Sequence, residues 1–185
     1  MKSKAVTPFI MLVCVCAGLN VAQADSPNDP NHPAIANFGT IHPRPNAAEQ
    51  PQADQHYKVV FDISSASDEA DMLNAGLDHV ARAVNVFASA GVPVDDLDFV
   101  AVVHGPATSA VLTDAAYAKE VGGKNPNTAL IAALKHAGVK IEVCGQALAD
   151  HHYADDEVNP AVITTLSALS TLAIYGDKGY AYEKL

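Results

Sequence analysis

Three short β-branched runs dominate this chain, and helix-forming sequence separates each from the next. They are Tyr57-Lys58-Val59-Val60-Phe61-Asp62-Ile63, Asp98-Phe99-Val100-Ala101-Val102-Val103 and Val139-Lys140-Ile141-Glu142-Val143. The second is apolar from Phe99 onward, as expected of a strand buried on both faces. Between the first two, Leu73, Leu77, Val80, Val84 and Phe87 recur at helical spacing and predict one apolar face of a long helix. Gly91 and Pro93 end it. Ser64 to Ser67 form a turn able to cap it, and Asp68 and Glu69 would put negative charge in its first turn. His104-Gly105-Pro106 breaks the second strand and leads into an Ala-rich helical stretch over 107–120, which Gly122 and Gly123 interrupt. Asn125-Pro126 predicts a cap with proline at the first helical position, and Gly138 closes that helix.

The rest of the chain continues the alternation. A short helix is expected from about Gln146, then an acidic loop, a short fourth strand at Val162-Ile163, a helix from Ser167 to Tyr175 and a last strand at Tyr180-Ala181-Tyr182. Such an order predicts an α/β fold: a parallel sheet with helices on both faces and right-handed crossovers. The domain so defined covers residues 57–185.

Two segments precede it. Residues 1–24 have the parts of a secretory signal: Lys2 and Lys4, an apolar core from Phe9 to Leu19 too short to span a bilayer comfortably, and Ala22-Gln23-Ala24 as the cleavage site. Lipoprotein processing at Cys14 or Cys16 is the weaker alternative, because Val13 and Val15 stand where a small residue is expected; the short core also disfavours an uncleaved anchor. The expected location is therefore periplasmic or secreted. Residues 25–56 form a Pro-rich arm or linker holding Pro27, Pro30, Pro33, Pro43, Pro45 and Pro51, six of the chain's 11 prolines. Ile35, Phe38 and Ile41 are its apolar exceptions, suited to pin it to the domain or to a neighbouring subunit. Without Lys2 and Lys4 the formal charge moves from −10 to −12. So acidic a chain is a poor partner for nucleic acid or anionic membrane.

Signal removal leaves Cys144 as the one cysteine, with no intramolecular disulfide partner. It ends the third strand, as His104 ends the second. Ligands of open parallel sheets bind beyond the carboxyl ends of the strands, so the two could share one rim. Backbone N–H groups opening the next helix would favour an anionic sulfur, and Gly145 would let the backbone approach a ligand and leave the sulfur uncovered. His104 could support the anion or carry a proton. Gly105, Gly145 and Gln146 are the expected binding positions around this pair. Such a site suits persulfide formation or thiol exchange. Two other readings stand beside it: Cys144 as a small buried packing residue, and a non-catalytic metal or small-ligand module joining Cys144 to His104 or His151. No Cys-x-x-Cys or His-x-x-x-His spacing supports a metal, and no resident cofactor is expected. Gly122-Gly123-Lys124 lacks phosphate-loop spacing, and neither a dinucleotide fingerprint nor a serine-hydrolase elbow is present.

Tyr57 to Ile63, Val102-Val103-His104-Gly105-Pro106-Ala107, Asn125-Pro126-Asn127, Val139 to Leu148 and Ser167-Ala168-Leu169 together resemble the DsrE/DsrF-like (YchN-like) family. The resemblance covers roughly residues 57–185 and is most specific around Cys144. It implies a flavodoxin-like parallel sheet of about five strands and assembly as a homo-oligomer, a trimer or hexamer. In sulfur-relay members a cysteine carries persulfide between partners, so the resemblance implies that role for Cys144. What the resemblance implies is a sulfurtransferase-like sulfur carrier, with a small sulfur compound or a partner thiol as its expected partner. The best-understood relay members are cytoplasmic, whereas this chain carries an export signal, so the likeness supports the fold more than the reaction.

Overall fold

A computed structural model describes residues 29–185, so the predicted signal over residues 1–24 lies outside the described residues. Five parallel strands form one sheet: β1 (Tyr57–Ile63), β2 (Leu97–Val103), β3 (Lys140–Cys144), β4 (Ile163–Thr165) and β5 (Ala181–Lys184). Their order is β4-β3-β2-β1-β5, so the chain steps outward from β1 to β4 and then crosses back to the far edge. The helices are α1 (Ala75–Ser89), α2 (Asp114–Glu120), α3 (Thr128–His136), α4 (Gly145–Asp150) and α5 (Ala168–Asp177). This is the expected α/β architecture. None of the described helices is long and apolar enough to cross a membrane.

Side chains alternate across each strand, and the two faces differ in chemistry. Val59, Phe61, Ile63, Phe99, Ala101, Val103, Ile141 and Val143 pack under α1 and α3 in the main core. Phe99 anchors it edge-on against Phe61 and Phe87, with ring centroids 5.3 and 5.4 Å apart. The opposite face carries Val60, Val100, Val102 and Cys144 against Ala168 and Tyr175 of α5. Asp62 and Glu142 share this second face by alternation and are both buried, whereas Lys58 and Lys140, on the same side of the same strands, are exposed.

Three helix starts differ from expectation. α1 begins at Ala75 rather than after the Ser64–Ser67 turn, because Asn74 is the cap. Its Oδ1 accepts from the Leu77 N–H at 3.1 Å, and its own N–H donates to Asn127 Oδ1 at 2.7 Å. Asp68 and Glu69 therefore lie in the loop before it. Asn127, not Asn125, is the N-cap residue of α3. Asn125 instead builds the preceding turn: its Oδ1 accepts from the Asn127 N–H at 2.9 Å, and its amide donates to the carbonyls of Ala110 and Leu112. The Ala-rich stretch divides into a 3₁₀ helix, Gly105–Val111, and α2, because the Thr113 hydroxyl caps Ala116 and restarts the helix.

Residues 29–56 lie along α1. Ile35 and Ile41 are buried there and Phe38 is partly buried. Asn85, fully buried in α1, holds this arm by five hydrogen bonds. Its Oδ1 accepts from the N–H groups of Ala34 and Ile35, and its amide donates to the carbonyls of Ile35, Phe38 and Gly39.

Candidate functional site

The carboxyl ends of β1, β2 and β3 form the rim that holds most of the expected residues. Val103 pairs with Val143, so His104 and Cys144 each stand one residue past the last paired position of β2 and β3. The His104 backbone is extended, and its N–H continues the ladder to Ile63 O at 3.0 Å. Parity then puts His104 and Cys144 on the α5 face of the sheet, on neighbouring strands.

His104 does not stand alone. Its Nε2 is 2.6 Å from Asp62 Oδ1, and the Tyr182 hydroxyl donates to Asp62 Oδ2. Burial pushes the Asp62 carboxyl up, but the Tyr182 and His104 hydrogen bonds and the His104 charge outweigh it, so the group is held below its usual range. The hydrogen bond to Asp62 in turn pushes the Tyr182 phenol up. The three side chains come from β1, the end of β2 and β5, and they make one connected polar chain.

Cys144 is the N-cap of α4. Its Sγ accepts from the Ala147 N–H at 3.4 Å. The residue is 5% exposed and lies among Val60, Val100, Val102, Ala147, Ala168 and Tyr175. It is therefore not an open thiol in the protomer. Gly145 also has a different reason from the one expected. A Cβ there would stand 2.7 Å from the Thr165 carbonyl oxygen, so glycine is needed because the end of β4 passes close, and the approaching group is this chain's own backbone. Gln146 donates to the Leu166 carbonyl at 3.2 Å, tying α4 to the same segment. Gly105 has φ +54°, a left-handed turn that glycine allows. Its carbonyl accepts from Thr108 Oγ1 at 2.7 Å and lies 3.1 Å from His151 Nε2. His151 thus reaches the His104–Gly105 turn, its ring stacked on Tyr153. Among the described residues no group of three or more His, Cys, Asp or Glu is arranged to hold a metal.

Two further groups belong to this face. Glu142 precedes Cys144 by two residues and shares its side of β3. Its Oε1 accepts from the Tyr175 hydroxyl at 2.8 Å, while Oε2 is buried and makes no hydrogen bond. Burial, then the Glu142 hydrogen bond and charge, pushes the Tyr175 phenol far above the usual range. Sequence reasoning passed over Asp62, Glu142, Tyr175 and Tyr182. A signal existed for the first two: each is the one carboxylate of its strand, at the parity of Cys144.

The sequence model of the DsrE/DsrF-like family matches residues 58–182. Among solved structures, a protein of unknown function from Methanobacterium thermoautotrophicum is similar over 70% of this chain and 99% of its own, at 18% identity and a TM-score of 0.54. At that identity the likeness concerns the fold. No curated protein matches.

Proposed function

The chain belongs to the DsrE/DsrF-like family, and from that premise we propose that it is an exported sulfur carrier that works through Cys144. Family membership suggests a sulfur-relay-like role in general; the choice of residue and chemistry is our reading. The observation that carries it is Cys144 at a helix N-terminus, beside a histidine already tied to a carboxylate and a phenol.

In the proposed step the Cys144 thiolate attacks the outer sulfur of a donor persulfide. A new S–S bond forms at Sγ, the donor's S–S bond breaks, and the donor leaves as a thiolate. There is no net oxidation, because a sulfane sulfur changes hands. The proton released from Cys144 returns to the leaving thiolate. His104 is suited to carry it on Nδ1, since Asp62 engages Nε2 and Tyr182 steadies Asp62. Gly105, Gly145 and Gln146 shape the rim. Nothing in the step needs a metal or an organic cofactor.

With 5% exposure at Cys144, transfer requires a local opening. The segment tied to α4 by Gln146 is the natural place, because Leu166 and Leu169 there are 76% and 84% exposed. These side chains and Ile163 are exposed apolar groups that a second copy of the chain would cover, which supports a homo-oligomer.

The test is intact-mass analysis after exposure to polysulfide. Wild type should gain sulfur, lose it to dithiothreitol, and gain none as Cys144→Ser. No gain on wild type, or an equal gain on the variant, overturns the proposal. A second reading rests on the burial itself: Cys144 as a packing thiol whose sulfur caps α4. It predicts alkylation only on global unfolding, whereas a carrier is alkylated by local opening, well below the denaturant midpoint.

A further inference from the structure

The arm lies outside the span matched by the family, yet it is anchored more firmly than a linker requires. Besides the five bonds to Asn85, the Gly39 N–H donates to Asp78 Oδ1 at 2.8 Å. Gly39 itself runs so close to α1 that a Cβ would stand 2.1 Å from Arg82 N, and its φ of +61° favours glycine. This close seating encloses a groove of about 600 Å³ between residues 40–51 and α1, a volume typical of small-molecule sites.

The lining combines apolar and cationic side chains. Ile41, Pro43, Pro45 and Val86 line it, and so do Arg44 and Arg82, the chain's only two arginines. Both therefore open onto one recess in a protein of formal charge −10. His42 and a single carboxylate, Glu49, share the wall. Arg82 is not consumed by an internal partner: Asp78 Oδ2 lies 3.9 Å from its Nη2, at the outer limit of an ion pair. No ion pair among the described residues involves the Arg44 guanidinium.

A guanidinium offers paired N–H donors that match the two oxygens of a carboxylate or phosphate. We propose that this groove binds a small organic oxyanion, a carboxylate or phosphate on an apolar body, with Arg44 and Arg82 on the charge and the apolar lining against the body. The site lies across the sheet from Cys144 and stands apart from the sulfur proposal.

Nitrogen-15 NMR titration tests it directly, because two arginines give two side-chain Nε–H signals. Benzoate, phenyl phosphate and benzyl alcohol are the probes. Saturable shifts of both Nε–H signals and of amides in residues 40–51 are expected with one or both anions, and which anion binds tighter separates carboxylate from phosphate as the head group. The neutral alcohol should bind about tenfold or more weakly. R44Q and R82Q should each weaken anion binding about tenfold while leaving the circular dichroism spectrum unchanged. No saturation by either anion, equal binding of benzyl alcohol, or unchanged affinity in the double variant overturns the proposal. The wild-type comparison of benzoate with benzyl alcohol decides it even if a variant fails to fold.

Discussion

Asp62 shows how the one carboxylate of a mostly apolar strand acquires a task. Its folded-state acidity is strengthened by Tyr182 and His104 against the opposing effect of burial. Its contribution to stability is therefore fully present above the ordinary carboxylate range and is lost as pH falls through the lower folded value. Urea unfolding of wild type should show stability declining below about pH 5. Tyr182→Phe should flatten that decline, because the folded value then moves back toward the unfolded one. An unchanged slope would mean that the hydroxyl does not hold Asp62. Glu142 is the opposite case, with one oxygen bonded to Tyr175 and the other without a partner. Glu142→Gln keeps an acceptor for Tyr175 and removes an unsatisfied buried charge, so its thermal midpoint should stay level or rise. Glu142→Ala strands the Tyr175 hydroxyl and should lower stability by about 1–3 kcal/mol. Neither role was read from the sequence, since an acid within a strand says nothing about its partners until α5 and β5 are folded over it.

At the scale of elements, strands were more legible than helix starts. Phe99 to Val103 admits one reading, because no polar residue interrupts it and both of its faces are buried. The start of α1 offered several capping candidates, and the choice fell to Asn74 because Asn127, distant in sequence, accepts its N–H. That contact is tertiary, so local pattern could not select it. The packing of the arm was legible in part: Ile35, Phe38 and Ile41 marked it as anchored, whereas its polar clamp in α1 was silent. Asn85→Ala should cost about 3 kcal/mol by leaving buried N–H and carbonyl groups without partners. It should also make residues 29–56 susceptible to limited proteolysis before the sheet domain. Cleavage at the wild-type rate would show that the apolar contacts alone hold the arm.

Across the whole molecule, the two faces of the sheet are unequally covered. α1 and α3 close one face, while among the described residues α5 is the main cover on the other, and Ile163, Leu166 and Leu169 stand exposed beside it. Leu169→Glu should shift the sedimentation profile toward monomer with little change in monomer stability, because a residue 84% exposed buries little in the protomer. An unaltered profile places any self-association elsewhere. The seclusion of Cys144 also bears on time rather than affinity. A sulfur shielded by its own fold meets a reagent only during brief excursions of the rim, so the frequency of those excursions sets the pace and small oxidants are screened by the same delay. Anything that stiffens α4 against the end of β4 would make the thiol both safer and slower.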